Sequence, residues 1–196
     1  MNNKTQKYII NNFNNFERNY NYLKYPADIY NKIKSVFSKR TPTSEQIKDA
    51  LNWKYGNIEK SGTSKKHKNI IKRVQRHWPK FIKSNTFKNE QDTFYWWLKM
   101  LPRVSSQPYI TVAFITHLVH HKKNIPIIDQ HNYRAMNYLK GNLSLLHSPK
   151  KKPSNWQDII ELKCIIEQIA QIIPKKSNDE IDKFLMMLGK SIKPKK

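Results

Sequence analysis

Four glycines in 196 residues (Gly56, Gly62, Gly141 and Gly189) leave this chain little means of building a β-sheet, because the favoured hairpin turns need positive φ. No stretch alternates apolar and polar residues between turn signals. Apolar residues recur instead at three- and four-residue steps, the period of an amphipathic helix. Ile9, Phe13, Phe16, Tyr20 and Leu23 mark a first helix, and Ile29, Ile33, Val36 and Phe37 a second that opens near Pro26. Thr43 and Gln46 have capping-box spacing ahead of Ile47, Ala50, Leu51 and Trp53, and Gly56 ends that third helix. After the loop NIEKSGTS, a fourth covers Lys65 to about His77, with Ile70, Ile71, Val74 and Trp78 on one face. Lys65, Lys66, Lys68, Lys72, Arg73 and Arg76 occupy its other face. A fifth starts at Asn89 or Gln91 and ends before Pro102. The segment Ile110 to His121 has almost no polar face, so it is expected to be buried on most sides. A helix from about Gln130 to Leu139 is closed by Gly141. Ser154 and Gln157 then form a second capping pattern before an isoleucine-rich helix that Pro174 stops, and a last helix begins at Asn178. The expected fold class is all-α.

Charge narrows the function. With 37 Lys and Arg against 14 Asp and Glu, the formal net charge is +23. A charge of that size on so small a body points to a polyanion, nucleic acid first. Aromatics at 12% supply a core and argue against wholesale disorder. The single cysteine, Cys164, excludes an intrachain disulfide framework and any four-cysteine zinc or iron–sulfur site. It fits reducing, cytoplasmic surroundings. No apolar run reaches the roughly 18 residues of a membrane span. In the isoleucine-rich helix Cys164 reads as a small buried hydrophobe, and Asp158, Glu161 and Glu167 read as surface charges.

One stretch, Leu101 to Leu139, carries more information: LPRVSSQPYITVAFITHLVHHKKNIPIIDQHNYRAMNYL. A turn with two prolines leads into the apolar helix, which ends in His117, His120, His121, Lys122 and Lys123. A loop with Pro126 and two isoleucines follows, and Asp129 then stands at the head of the next helix. An Asp there can cap the helix and sit in its positive end field. His131 lies in the first turn beside exposed backbone N–H groups, and Arg134 points to a different face. His117 and His121 are four apart, as metal ligands on one helix face would be. Position 118 is Leu rather than Glu and nothing specifies a third ligand, so no metal and no cofactor are expected.

The pattern Ile127-Ile128-Asp129-Gln130-His131-Asn132-Tyr133-Arg134, with a Thr-x-Ala helix start at Thr111 and Ala113, resembles the helix-hairpin-helix DNA glycosylase superfamily, and within it endonuclease III and its relatives. The resemblance covers Leu101 to Leu139. It implies a two-lobed helical fold that grips DNA, in which first and last helices share a lobe. On that plan residues of about 40–125 form a central lobe, residues 1–39 and 126–190 the terminal-helix lobe, and 191–196 a frayed basic tail. The turn LPRVSSQPY lacks the family's two hairpin glycines, so Arg103 and the SSQ turn must approach phosphate differently or not at all. The slot that holds a Schiff-base lysine in lyase members falls on Thr111, and no Lys lies between Leu101 and His121.

The resemblance therefore implies a monofunctional glycosylase that flips out and excises a modified or mispaired base, in host repair or against the modified bases of a phage genome. Asp129 would be its catalytic carboxylate. His131, Arg134, His121, Lys122, Lys123, Arg103 and Thr111 would support it or meet phosphate. Trp53, Tyr55, Tyr95, Trp96, Trp97 and His117 are candidates to line the base pocket. The expected partner is double-stranded DNA, bound by a monomer. A catalytically inactive basic DNA- or RNA-binding helical module is the competing expectation.

Overall fold

A computed structural model of the chain describes every residue except 24, 40, 57–63, 102–107, 145–151 and 193–196. The described residues form nine α-helices and two short 3₁₀ turns, with no strand among them. The chain divides into two compact units, Asn21–Ile125 and a second made of Met1–Tyr20 with Pro126–Lys196.

The unit Asn21–Ile125 contains α2 (Ala27–Ser38), α3 (Ser44–Lys54), α4 (Lys65–Lys83), α5 (Glu90–Met100) and α6 (Tyr109–Val119). Helix α6 is its centre: Val112, Ala113, Phe114 and Leu118 have no exposed surface, and α2, α3 and α5 pack around it. A second cluster joins α4 to α5 through Trp78 and Trp97, whose ring centroids are 5.6 Å apart, with Phe81 against both.

Sequence alone stops α4 near His77, yet the helix continues through Pro79 to Lys83. Proline removes one backbone hydrogen bond, but Pro79 is exposed while Phe81, beyond it, is completely buried. Burial of that ring contributes about 2–3 kcal/mol, enough to offset the lost bond.

The other unit contains α1 (Asn3–Arg18), α7 (Gln130–Lys140), α8 (Trp156–Ile172) and α9 (Asn178–Ser191). Helix α9 packs against the other three, with Ile181, Phe184, Leu185 and Leu188 fully buried. First and last helices thus share a unit. The two units meet at Tyr20/Asn21 and at Ile125/Pro126. Helix α2 belongs with α3 and α6 because Ile33 and Phe37 are buried there, Phe37 edge-on to Trp78.

Local corrections follow from capping and register. Helix α1 ends at Arg18, and Leu23, placed on its apolar stripe by periodicity, is 90% exposed. Helix α8 is capped by Asn155 and Asp158, not Ser154 and Gln157. Asp158 accepts from the backbone N–H groups of Ser154 and Asn155, so it is buried instead of being a surface charge. Cys164 falls off the buried stripe of Ile159, Leu162, Ile165, Ile166 and Ile169 and is exposed, not a core residue. Of the basic tail, residues 193–196 lie outside the described residues. No described helix is long and apolar enough to cross a membrane.

Candidate active site

Asp129 is the N-cap of α7, with extended backbone (φ −138°, ψ −176°). Its Oδ1 accepts from the N–H groups of His131 (2.7 Å) and Asn132 (3.1 Å). The Asn132 side chain returns the contact, its Oδ1 accepting from the Asp129 N–H at 2.7 Å. This is a reciprocal capping box with Asn at the third helical position. The buried Asn132 also donates through Nδ2 to the Ile127 carbonyl and, at 3.2 Å, to Asp182 Oδ1 of α9. Both hydrogen bonds to the Asp129 carboxylate use Oδ1, so Oδ2 takes none among the described residues. The carboxylate is half-buried, held by one oxygen, with the other left over.

Two neighbours fix the head of α7 against α9. Arg134 Nη1 donates to the Gly189 carbonyl (2.8 Å) and the Ile192 carbonyl (3.4 Å). Its guanidinium serves the carbonyls that end α9, which helix geometry leaves without intrahelical partners. Gly189 meets the His131 backbone so closely that a Cβ built on it would lie 1.8 Å from the His131 carbonyl oxygen. The His131 ring is half-buried on the same turn.

In the unit Asn21–Ile125, three histidines at the end of α6 tether it to its neighbours. His117 Nδ1 pairs with the Ile125 carbonyl, which only accepts, so Nδ1 carries the proton. Its Nε2 then accepts from the Tyr30 hydroxyl of α2. His120 Nε2 pairs with Thr93 Oγ1 of α5 at 2.9 Å, and His121 Nε2 with Ser38 Oγ of α2 at 3.2 Å. Among the described residues no group of three or more His, Cys, Asp or Glu side chains is gathered to hold a metal ion.

The expected pocket aromatics fall into two groups. Trp53 stacks on Tyr30 (4.7 Å) and on Phe114 (5.9 Å), and the His117 ring stacks on the same two rings at 5.9 and 6.3 Å. Two residues after Trp53, the Tyr55 hydroxyl pairs with Thr111 Oγ1 at 2.9 Å. Burial pushes that phenol up to about 12. The Tyr55 ring stacks on His67 of α4, centroids 3.8 Å apart. Burial and the charge of Lys66 hold the His67 imidazole below its ordinary value. Thr111, at the expected lysine slot, is thus a buried hydroxyl committed to Tyr55.

Trp96 and Trp97 belong to the α4–α5 cluster instead, and Tyr95 lies edge-on to Phe94. Trp97 is fully buried, Trp96 half-buried, and Tyr95 is 48% exposed. Lys123 pairs with Glu90 at 3.0 Å, Lys122 is exposed, and Arg103 lies outside the described residues.

Sequence reasoning missed Asn132, Gly189 and His67. The first was readable as Asp-x-x-Asn, a capping box with an uncommon last member. The second is one of only four glycines and sits inside a helix, which needs a packing reason. Nothing in the sequence marks His67. Comparison with protein-family models, with curated proteins and with solved structures gives no match for this chain.

Proposed function

We propose that the protein is a DNA glycosylase that hydrolyses the N-glycosidic bond of a modified or mispaired base flipped out of a duplex. The observation that carries this reading is the state of Asp129: Oδ1 is fixed by the first turn of α7 while Oδ2 accepts no hydrogen bond among the described residues. A nucleophile-activating carboxylate needs that combination of a set position and an uncommitted lone pair. Two further features support it: first and last helices share a unit, and Asp129 follows the 125/126 boundary by only three residues.

The chemistry is a substitution at the sugar C1′. As the bond from C1′ to the base nitrogen lengthens, its electron pair leaves with the base and positive charge grows on the sugar. The Asp129 carboxylate stabilises that charge. Its free oxygen aligns a water, whose oxygen bonds to C1′. One water proton passes to the carboxylate and is returned to solvent, while the departing base nitrogen takes up a proton. The products are a free base and an abasic site. No lysine is required, so strand scission is not part of the reaction. Arg134 and Asn132 are positioning residues, because they hold α7 and reach no reacting atom.

The test is incubation with duplexes carrying a panel of modified and mispaired bases, and with phage DNAs of different base modification, followed by hot alkali. Asp129→Asn runs alongside. Asn preserves the capping acceptor but not the carboxylate, so the variant is expected to fold like the parent and leave every substrate intact. Alkali-labile breaks from the parent alone establish base excision. Absence of breaks on every substrate, with duplex binding retained, overturns the proposal in favour of a non-catalytic DNA-binding module.

A further inference from the structure

Helix α4 has two faces of opposite character. Ile70, Ile71, Val74, Trp78 and Phe81 are buried in the core of its unit. The outer face carries eight lysines and arginines between Lys65 and Lys83, all exposed, and the helix contains no acidic residue. At about 100° per residue these cations fall within an arc of roughly 160°. Lys65, Lys72, Arg76 and Lys83 run along its crest, flanked by Lys68 and Arg73. None of these six forms an ion pair among the described residues. The crest spans about 27 Å at 1.5 Å per residue. His77 reports the same field: burial first, then Lys80, Arg76 and Arg73, hold its imidazole below the ordinary value.

We infer that this face of α4 is a docking surface for the sugar–phosphate backbone of double-stranded DNA. Three observations select that occupant. A rigid row of cations with no acid among them complements a polyanion of regular charge spacing. The exposed face has no aromatic side chain, whereas surfaces that hold single strands stack bases on aromatic rings. It has no exposed apolar stripe either, since the apolar side of α4 is already buried, and a helix that lies on a membrane must insert one. The inference shares with the proposed function the assumption that DNA is the partner. It is independent of any chemistry at Asp129.

The experiment compares two quadruple variants of the full chain. One carries Lys65→Gln, Lys72→Gln, Arg76→Gln and Lys83→Gln. The other removes the same charge from exposed positions of the other unit, Lys4→Gln, Lys7→Gln, Lys152→Gln and Lys175→Gln. Circular dichroism and Tm establish that each is folded. Fluorescence anisotropy with a 20-base-pair duplex is then measured from 50 to 300 mM salt.

If α4 meets phosphates, its variant loses at least about tenfold in affinity and the slope of log K against log salt falls by about 3–4, close to 0.9 per contact. The other variant moves the slope by less than about 1. Equal slopes in the two variants overturn the inference. So does tighter binding of the parent to single strands, duplex RNA or anionic vesicles than to duplex DNA. Asp129→Asn keeps the parent slope in this assay, so loss of excision without a change in slope bears on the glycosylase reading and not on α4.

Discussion

Gly189→Ala adds one methyl group where α9 crosses the head of α7. In an exposed helix interior the change would stabilise the chain by up to about 1 kcal/mol, because glycine carries the larger backbone entropy cost. Here the new Cβ would lie 1.8 Å from the carbonyl oxygen of His131, 2.5 Å from its carbonyl carbon and 3.0 Å from its Cα. Non-bonded heavy atoms settle near 3.5–4 Å, so the two backbones must part by more than about 1 Å. No side chain can rotate aside, since every atom met belongs to the main chain. Overpacking of this kind costs about 3 kcal/mol, the upper part of the usual range, which leaves a net loss near 2 kcal/mol or more. For a chain of this size that is a fall in Tm of about 4–8 °C. Thermal unfolding followed by circular dichroism measures it. The displaced atoms lie two residues from Asp129, and Arg134 loses its seat on the Gly189 carbonyl at the same time. Excision is therefore expected to fall further than the loss of folded protein explains. An unchanged or raised Tm would refute the reasoning, because it would mean that α7 and α9 are not in backbone contact at this point.

Two other perturbations test the same helix heads. Asn132→Ala strips the capping return to Asp129 and the bonds to the Ile127 carbonyl and Asp182; three partners lose a buried side chain, at a cost of about 3 kcal/mol and roughly 6–12 °C in Tm, and a fall below 2 °C would show that water replaces them. Glu180 is held down from its ordinary 4.5 to about 2, by the Ser177 N–H first and then by Lys176 and the Ser177 hydroxyl. A carboxylate lowered in the folded state contributes stability that is present above pH 4.5 and lost as pH falls towards about 2. Glu180→Gln keeps the capping hydrogen bonds, so its stability deficit, under about 1 kcal/mol for so exposed a group, is expected in thermal unfolding at pH 7 and gone near pH 2; a deficit constant across that range would assign the effect to packing.

The helical plan was legible because its signals are local. Thr43 and Gln46 name a helix start by their spacing, and the same residues form the capping box observed. The apolar run after Tyr109 could be placed at a core from composition alone. What failed was set by longer-range contacts. Periodicity extended α1 to Leu23, but the Leu23 side chain is left exposed, and the chain turns at Asn19. Pro79 ended α4 by local rule, while burial of Phe81 carried it onward. Asp158 is inside because it, and not Gln157, closes the cap of α8, and Cys164 is outside because at about 100° per residue it falls opposite the buried isoleucine stripe, which composition alone does not register.

The candidate site divides along the same line. Asp129 was readable because an acidic residue ahead of a periodic run has a local meaning, and the structure gives it that meaning as an N-cap. The partners that hold it were not. Arg134 looks like a phosphate ligand when only its charge and its spacing from Asp129 are considered, yet its donors are needed by the carbonyls of a helix more than fifty residues away. Thr111 looks like a vacant catalytic slot, yet its hydroxyl is committed to Tyr55. In both cases the side chain's chemistry was evident and its counterpart was not, because the counterpart is supplied by tertiary packing. The same limit applies to Asp129. Capping accounts for one carboxylate oxygen and for the order of α7, and a residue selected only to cap could equally be Ser, Thr or Asn. What a cap does not require is the second oxygen. The proposed function rests on that oxygen, which is why Asn, which keeps the cap and removes the carboxylate, separates structure from chemistry.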